Sequence, residues 1–302
     1  MNEKIFYKFK NINEYTYDSL KEKYFYFSTP KELNDSQDCR IPIDYQTDPK
    51  NILRWIKHAK KLGRKDGKNP ELFPFNTVDK VRKAISKDGK LKEIFEHTIL
   101  DTIGYFHLLS LTDSFNNEKM WDSKDYCSDF SGICIGYKAY QLQYPKFDSY
   151  FIQTIDNNEN RKPYFVNYGS KKFFVLQEIE YDNDRKHCYN PFEETYDKNF
   201  MLVVDAQNKN KDNTAYNLFH KTQRWCEESE FRGFYISFSN DNSKVIYPDE
   251  ILESITFGYK VTENRIAKIK KIIKNNYSNS EKIKYYIASP NTNHGINRRP
   301  SV

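Results

Sequence analysis

The chain reads as an α+β protein, a mixed or antiparallel sheet core with inserted helices. Short runs of Tyr, Phe, Ile and Val recur along its length between turn-forming residues, as strands do. Sustained helical patterning is confined to a few stretches that fall between distant strands. No regular strand–helix–strand rhythm joins them, which argues against a doubly wound parallel sheet. With 302 residues, the expectation is one domain over 1–288, with a helical insertion at about 50–103 and a disordered tail at 289–302.

Taken in order, "KIFYKF" (4–9) is a short strand, and "NEYTYDSLKEK" (13–23) a helix. "YFYFS" (24–28) is a second strand, followed by the turn-rich loop "TPKELNDSQDCR" (29–40). Residues 50–103 are helical and hold two basic patches, 57–68 and 81–92, on separate helices because Gly and Pro lie between them. "GYFHLLSLTD" (104–113) is a buried strand that ends in hydroxyls. "FSGICIGYKAY" (130–140) is another, where Gly132 and Gly136 invite close backbone approach. "KKFFVLQEIEYDND" (171–184) is a strand closed by an acidic turn, and 141–165 and 183–214 are loops with short helices. "ESITFGY" (253–259) is a strand, "TENRIAKIKKIIKN" (262–275) an amphipathic helix with Thr262 as a cap, and "KIKYYIA" (282–288) a last strand.

One stretch resists this pattern. In "RWCEESEFRGFYISF" (224–238), Glu228, Glu230 and Arg232 share a period of two with Phe234, Ile236 and Phe238. On one strand they would occupy one face. A buried unpaired carboxylate costs several kcal/mol, so these groups must pair, protonate or face a wet cleft. Three readings stay open on spacing alone: a bulge at Gly233 that turns the charges to solvent, a structural Glu–Arg pair, or a functional cleft.

Composition narrows the function classes. The chain is 38% hydrophobic and 30% charged, as a folded protein is, and its 24 Tyr and 22 Phe imply a ring-packed core. A net charge of +6 permits a nucleic-acid partner without concentrating charge for one. Five Cys with no CxxC pair argue against a disulfide framework or a zinc site. The six His show no HxxxH or HxxE spacing, so they offer no metal site. GxGxxG, GxxxxGK[ST] and GxSxG are all absent. No run approaches a membrane span, and "MNEKIFYKFK" lacks the apolar core of a signal peptide, so a cytoplasmic protein is expected.

Several blocks come in a telling order: "FYKF", "YFYFSTPKELNDSQD", "SLTD" before "MW", "YCSDFSGICIGY" and "KTQRWCEESEFR". Together, across most of residues 4–260, they resemble an uncharacterised bacterial family, domain of unknown function twenty-nine seventy-one. The last block carries the resemblance through Lys221, Trp225, Glu228, Glu230 and Arg232. The chain departs from the family where Ser36, not Pro, follows Asn34–Asp35. Membership implies a setting among bacterial defence and toxin-like genes.

More weakly, a basic residue on strand one, a hydroxyl strand and Glu-x-Glu are similar to the plan of ADP-ribosyltransferases. That resemblance implies NAD as cofactor and a protein or nucleic acid as acceptor. It makes Glu230 the catalytic carboxylate and Glu228 its acceptor-side companion. The cofactor group is Tyr7, Lys8, Ser110 and Thr112, with Asn34, Asp35 and Arg232 added from the family motifs. Lys8 departs from the usual Arg or His, since an ammonium lacks the planar fork for phosphate.

Quieter readings stand beside these. Tyr7 and Phe9 are core aromatics and Lys8 is solvated; Ser110 and Thr112 close a turn; Asn34 and Asp35 make an Asx turn. The alternatives to an enzyme of this plan are a non-catalytic nucleic-acid- or protein-binding module that uses the basic patches, and a metal-dependent nuclease built on Asp35, Asp38 and Glu230.

Overall fold

The structure, a computed structural model, describes residues 2–33, 35, 37–65, 67–69, 73–86, 89–141, 164–169, 172–183, 187–193, 209–236, 243–291 and 295–301. Its strands are β1 (Asn2–Lys10), β2 (Tyr24–Tyr26), β3 (Phe106–Thr112), β4 (Ile133–Gln141), β5 (Tyr164–Gly169), β6 (Lys172–Glu178), β7 (Glu180–Tyr181), β8 (His220–Lys221), β9 (Glu230–Ile236), β10 (Lys244–Ile246), β11 (Leu252–Gly258), β12 (Lys284–Asn291) and β13 (Gly295–Pro300). Its helices are α1 (Glu14–Lys21), α2 (Pro49–Lys65), α3 (Val78–Ser86), α4 (Lys90–Ile103), α5 (Glu118–Asp122), α6 (Lys209–Leu218) and α7 (Glu263–Asn276). The fold is α+β with a mostly antiparallel sheet, as the sequence predicts.

The nine-stranded sheet has the order β1-β3-β9-β6-β5-β4-β11-β12-β13, and β1 also pairs with β4. That extra pairing closes six strands into a barrel. β4 is the branch point: β1 lies along one edge, while β5 at Tyr140 and β11 at residues 133–137 share the other. The closure is uneven. β1 follows β4 from Asn2↔Gln141 to Lys10↔Ile133, but meets β3 only at Tyr7↔Thr112.

Alternation along each strand assigns the faces. The largest core cluster draws on all six barrel strands, through residues such as Phe6, Leu111, Phe231, Leu176, Val166 and Ile135. Ring packing dominates it, with Phe6 4.8 Å from Phe231 and 4.9 Å from Tyr164. α7 adds Ile269 and Ile273 and links the parallel strands β11 and β12, as a crossover helix does. The insertion α2–α4 builds its own small core around Ile52, Ile56, Val81, Leu91 and Phe95.

Gly132 is required where expected, since a Cβ there would lie 2.5 Å from the Lys10 carbonyl. The tail corrects the sequence reading. Residues 289–291 finish β12, and β13 pairs back on it from Tyr286↔Pro300 to Asn291↔Gly295. Arg298 of β13 lies 3.7 Å over the Tyr286 ring and donates to Ser254 Oγ, which anchors a strand too polar to be read from its pattern. The loops expected at 141–165 and 183–214 lie largely outside the described residues.

Candidate functional site

The site begins where β1 and β3 part. Extending their register would set Phe9 opposite Ser110, but no pair forms there. The Ser110 carbonyl instead accepts from Lys8 Nζ at 2.8 Å. An ammonium thus stands in for a missing ladder donor. Beside this parting lies a cleft of about 770 Å³, lined by Tyr7, Lys8, Ser110, Thr112, Glu228 and Glu230 among others. Its size is that of a ligand pocket.

On the other side of the cleft stand the charges of the unusual stretch. Glu230 and Arg232 begin β9 and face the same way, with Thr112↔Glu230 and Ser110↔Arg232 in register. Glu228 is not on the strand. It ends a 3₁₀ turn over Gln223–Glu228, and Ser229, left-handed at φ 45°, swings the chain so that both carboxylates converge. The register passes Gly233 without a bulge, at Leu109↔Gly233. The reading that turns the charges to solvent is thereby corrected: Glu230 is 3% exposed and Arg232 fully buried.

Pairing makes this burial tolerable. Arg232 Nε donates to Glu230 Oε1 at 2.8 Å, and its two terminal nitrogens donate to Asp38 at 3.1 and 2.8 Å. A further donation reaches the Leu218 carbonyl at 2.7 Å. Lys221 Nζ bridges the two glutamates, at 2.7 Å from Glu228 and 2.9 Å from Glu230. Ser110 Oγ donates to Glu230 Oε1, and Tyr126 Oη to Glu228 Oε1 at 2.6 Å. The Glu230 backbone N–H donates to Tyr181 Oη at 2.8 Å.

Burial alone would raise the Glu230 carboxyl, but the Arg232 and Lys221 charges hold it well below the carboxylate range. Burial likewise works against the Lys221 charge, and Glu230 and Glu228 hold its proton above the usual lysine range. Lys8 goes the other way, because desolvation outweighs the attraction of Glu230 and Glu228. It is therefore no solvated strand residue. Arg232 and Lys221 favour the ionised form of Glu230.

The other predicted residues separate. Arg232 does not line the cleft; it stands behind Glu230, donating to that carboxylate, to Asp38 and to the Leu218 carbonyl, so it is placed to position Glu230. Asp35 is turned to Arg224 at 2.9 Å and Trp225 Nε1 at 2.7 Å, and it too is outside the cleft lining. Asn34 lies outside the described residues. Thr112 lines the cleft and also accepts from Ser114 N at 3.4 Å, the quieter reading of a hydroxyl at a turn. Tyr7 lines it with its ring edge-on to Phe115 and near Arg298. Trp121 and Phe9 pack against each other in the core.

The nuclease set fails on geometry, since Asp35 is bound to Arg224 while Asp38 and Glu230 share Arg232. Among the described residues no three His, Cys, Asp or Glu side chains group to hold a metal. Sequence reading passed over the bridging role of Lys221, although Lys221 stood in the quoted block, and over Tyr126, although it opens "YCSDFSGICIGY". From sequence, Asp38 enters only as a metal ligand of the nuclease alternative. No family model, curated protein or solved structure matches this chain. The resemblances therefore rest on the quoted motifs alone.

Among the groups in ionic contact, three carboxylates (Asp38, Glu228, Glu230) face two cations (Lys221, Arg232), which leaves one net negative charge. Lys8 and Lys10 add positive charge on the β1 side of the same cleft. The hollow is bipolar. One side can steady a developing cation, the other an anion.

Proposed function

We propose that this cleft is the active site of an NAD-consuming glycosyl-transfer enzyme of ADP-ribosyltransferase-like plan, acting on a protein or nucleic acid. The bond from the ribose C1′ to nicotinamide breaks, and nicotinamide leaves with the electron pair. The oxocarbenium-like sugar left behind is stabilised by the ionised Glu230, and an acceptor nucleophile orientated by Glu228 attacks C1′ and passes its proton to solvent. Ser110 fixes the Glu230 rotamer. The observation that carries this reading is the convergence of Ser110, Glu228 and Glu230 on one ligand-sized hollow with opposite charge on its β1 side. The motif resemblance supports a role in bacterial anti-phage defence or as a toxin, and the free cysteines fit a cytoplasmic setting.

The test incubates the full chain with labelled NAD and cell extract, and follows nicotinamide release and label transfer. Loss of a fixed stabilising charge predicts a fall of about 10²–10³-fold in Glu230→Gln. Glu228→Gln should lower transfer more than nicotinamide release. A folded wild type that does neither, indistinguishable from Glu230→Gln, would falsify the proposal.

A further inference from the structure

The motif resemblance singles out Lys8, but it says nothing of the next residue on the same face of β1. We propose that Lys10, backed by Lys8, anchors a subsite for the phosphate or diphosphate group of a phosphorylated ligand. The inference rests on reading the cleft as a ligand site, not on the reaction assigned to its carboxylates.

Phe6, Lys8 and Lys10 alternate onto the core-facing side of β1, where Phe6 is fully buried. At the parted end of the strand, the two lysines line the cleft instead. An ammonium carries three donors. Lys8 uses one on the Ser110 carbonyl, and Lys10 one on Ser19 Oγ at 3.2 Å. Among the described residues neither has a carboxylate within ion-pair distance. Lys8 feels Glu230 and Glu228, whereas among the described residues the charge that acts on Lys10 is that of Lys8. Two part-buried like charges with spare donors and, among the described residues, no ion-paired carboxylate are an unfavourable arrangement that a bound anion corrects.

Desolvation first, and the Lys8 charge second, bring the Lys10 ammonium down to about 8. An anion beside it would raise that value again, so binding near pH 8 should take up a proton. Besides these two lysines, Tyr7, Glu228 and Glu230, the charged or titratable groups lining the cleft are Tyr15 and Asp18 from α1, Tyr24 and Tyr26 from β2, Glu32 and Asp38 from the loop after it, Asp125 and Tyr126 after α5, Lys221 from β8 and Lys244 from β10.

The probe is ADP-ribose, whose diphosphate has no proton to lose between pH 7 and 10. Calorimetry on the full chain at fixed ionic strength, in two buffers of different ionisation enthalpy, measures affinity and proton uptake together. The expected result is binding at pH 7, at least tenfold weaker at pH 9.5, with proton uptake between them. Lys10→Met should lose about tenfold or more at pH 7 while staying folded, and Lys10→Arg should bind at both pH values with less proton uptake than the wild type. No binding to wild type at millimolar ADP-ribose would overturn the subsite, as would equal affinity in Lys10→Met. ADP-ribose binding without NAD turnover removes the reaction and keeps the subsite. Turnover unchanged by Lys10→Met does the reverse.

Discussion

Arg232 shows how a charge can be both legible and misread. Its period with Glu230 and Phe234 was plain in the sequence, and so was the need for a partner. The residue that shares it with Glu230, Asp38, comes from a loop nearly two hundred positions away. No local pattern encodes such a contact, which is why a cofactor role was assigned to a group whose guanidinium is used up inside the protein. Arg232→Met should destabilise the fold by about 3–5 kcal/mol in urea denaturation at pH 7, because Glu230 and Asp38 lose a buried counter-charge. A loss below about 1 kcal/mol would contradict the network. For pH, the Glu230 carboxyl lies lower in the folded chain than in the unfolded one, where it titrates near about 4.3. Its stabilisation is complete above that range and fades as pH falls further. Lys10 acts in the alkaline range: the folded chain sheds this proton near about 8 and the unfolded chain near about 10.4, so stability should climb between them. Denaturation midpoints across pH should show both limbs, the acid one blunted in Glu230→Gln and the alkaline one reduced in Lys10→Met to what Lys8 contributes.

At the level of elements, strands with apolar alternation or continuous apolar runs, such as β1, β3, β4 and β11, could be read directly, as could α1 and α7. β13 was not readable, because "GINRRP" has no apolar stripe and gains its order from β12. The start of β9 was readable in position but not in path, since nothing in "EESE" announces a left-handed residue. Ser229→Gly should be neutral or slightly stabilising, because glycine adopts that conformation freely. Ser229→Val should lose about 1–2 kcal/mol and misplace Glu228. Further along the same strand, a Cβ at Gly233 would meet the Phe174 ring at 2.8 Å. Gly233→Ala should therefore lower stability by about 1–3 kcal/mol, read as a drop in Tm, with the cleft carboxylates unmoved.

For the whole molecule, α+β class and an antiparallel sheet followed from pattern, but ring closure did not. Closure depends on β1 pairing on two sides at once, a property of register across more than a hundred residues. Among the described residues the outer end of the sheet is β13, and its removal would bare the length of β12. Deleting residues 292–302 should lower Tm by several degrees and raise light scattering on heating; a disordered tail would leave both unchanged. The thin joint at Tyr7↔Thr112 has a consequence of its own. A barrel stave that has already let go of its neighbour leaves a doorway whose frame is finished. A guest can come and go there without any rung of the backbone ladder being broken to admit it.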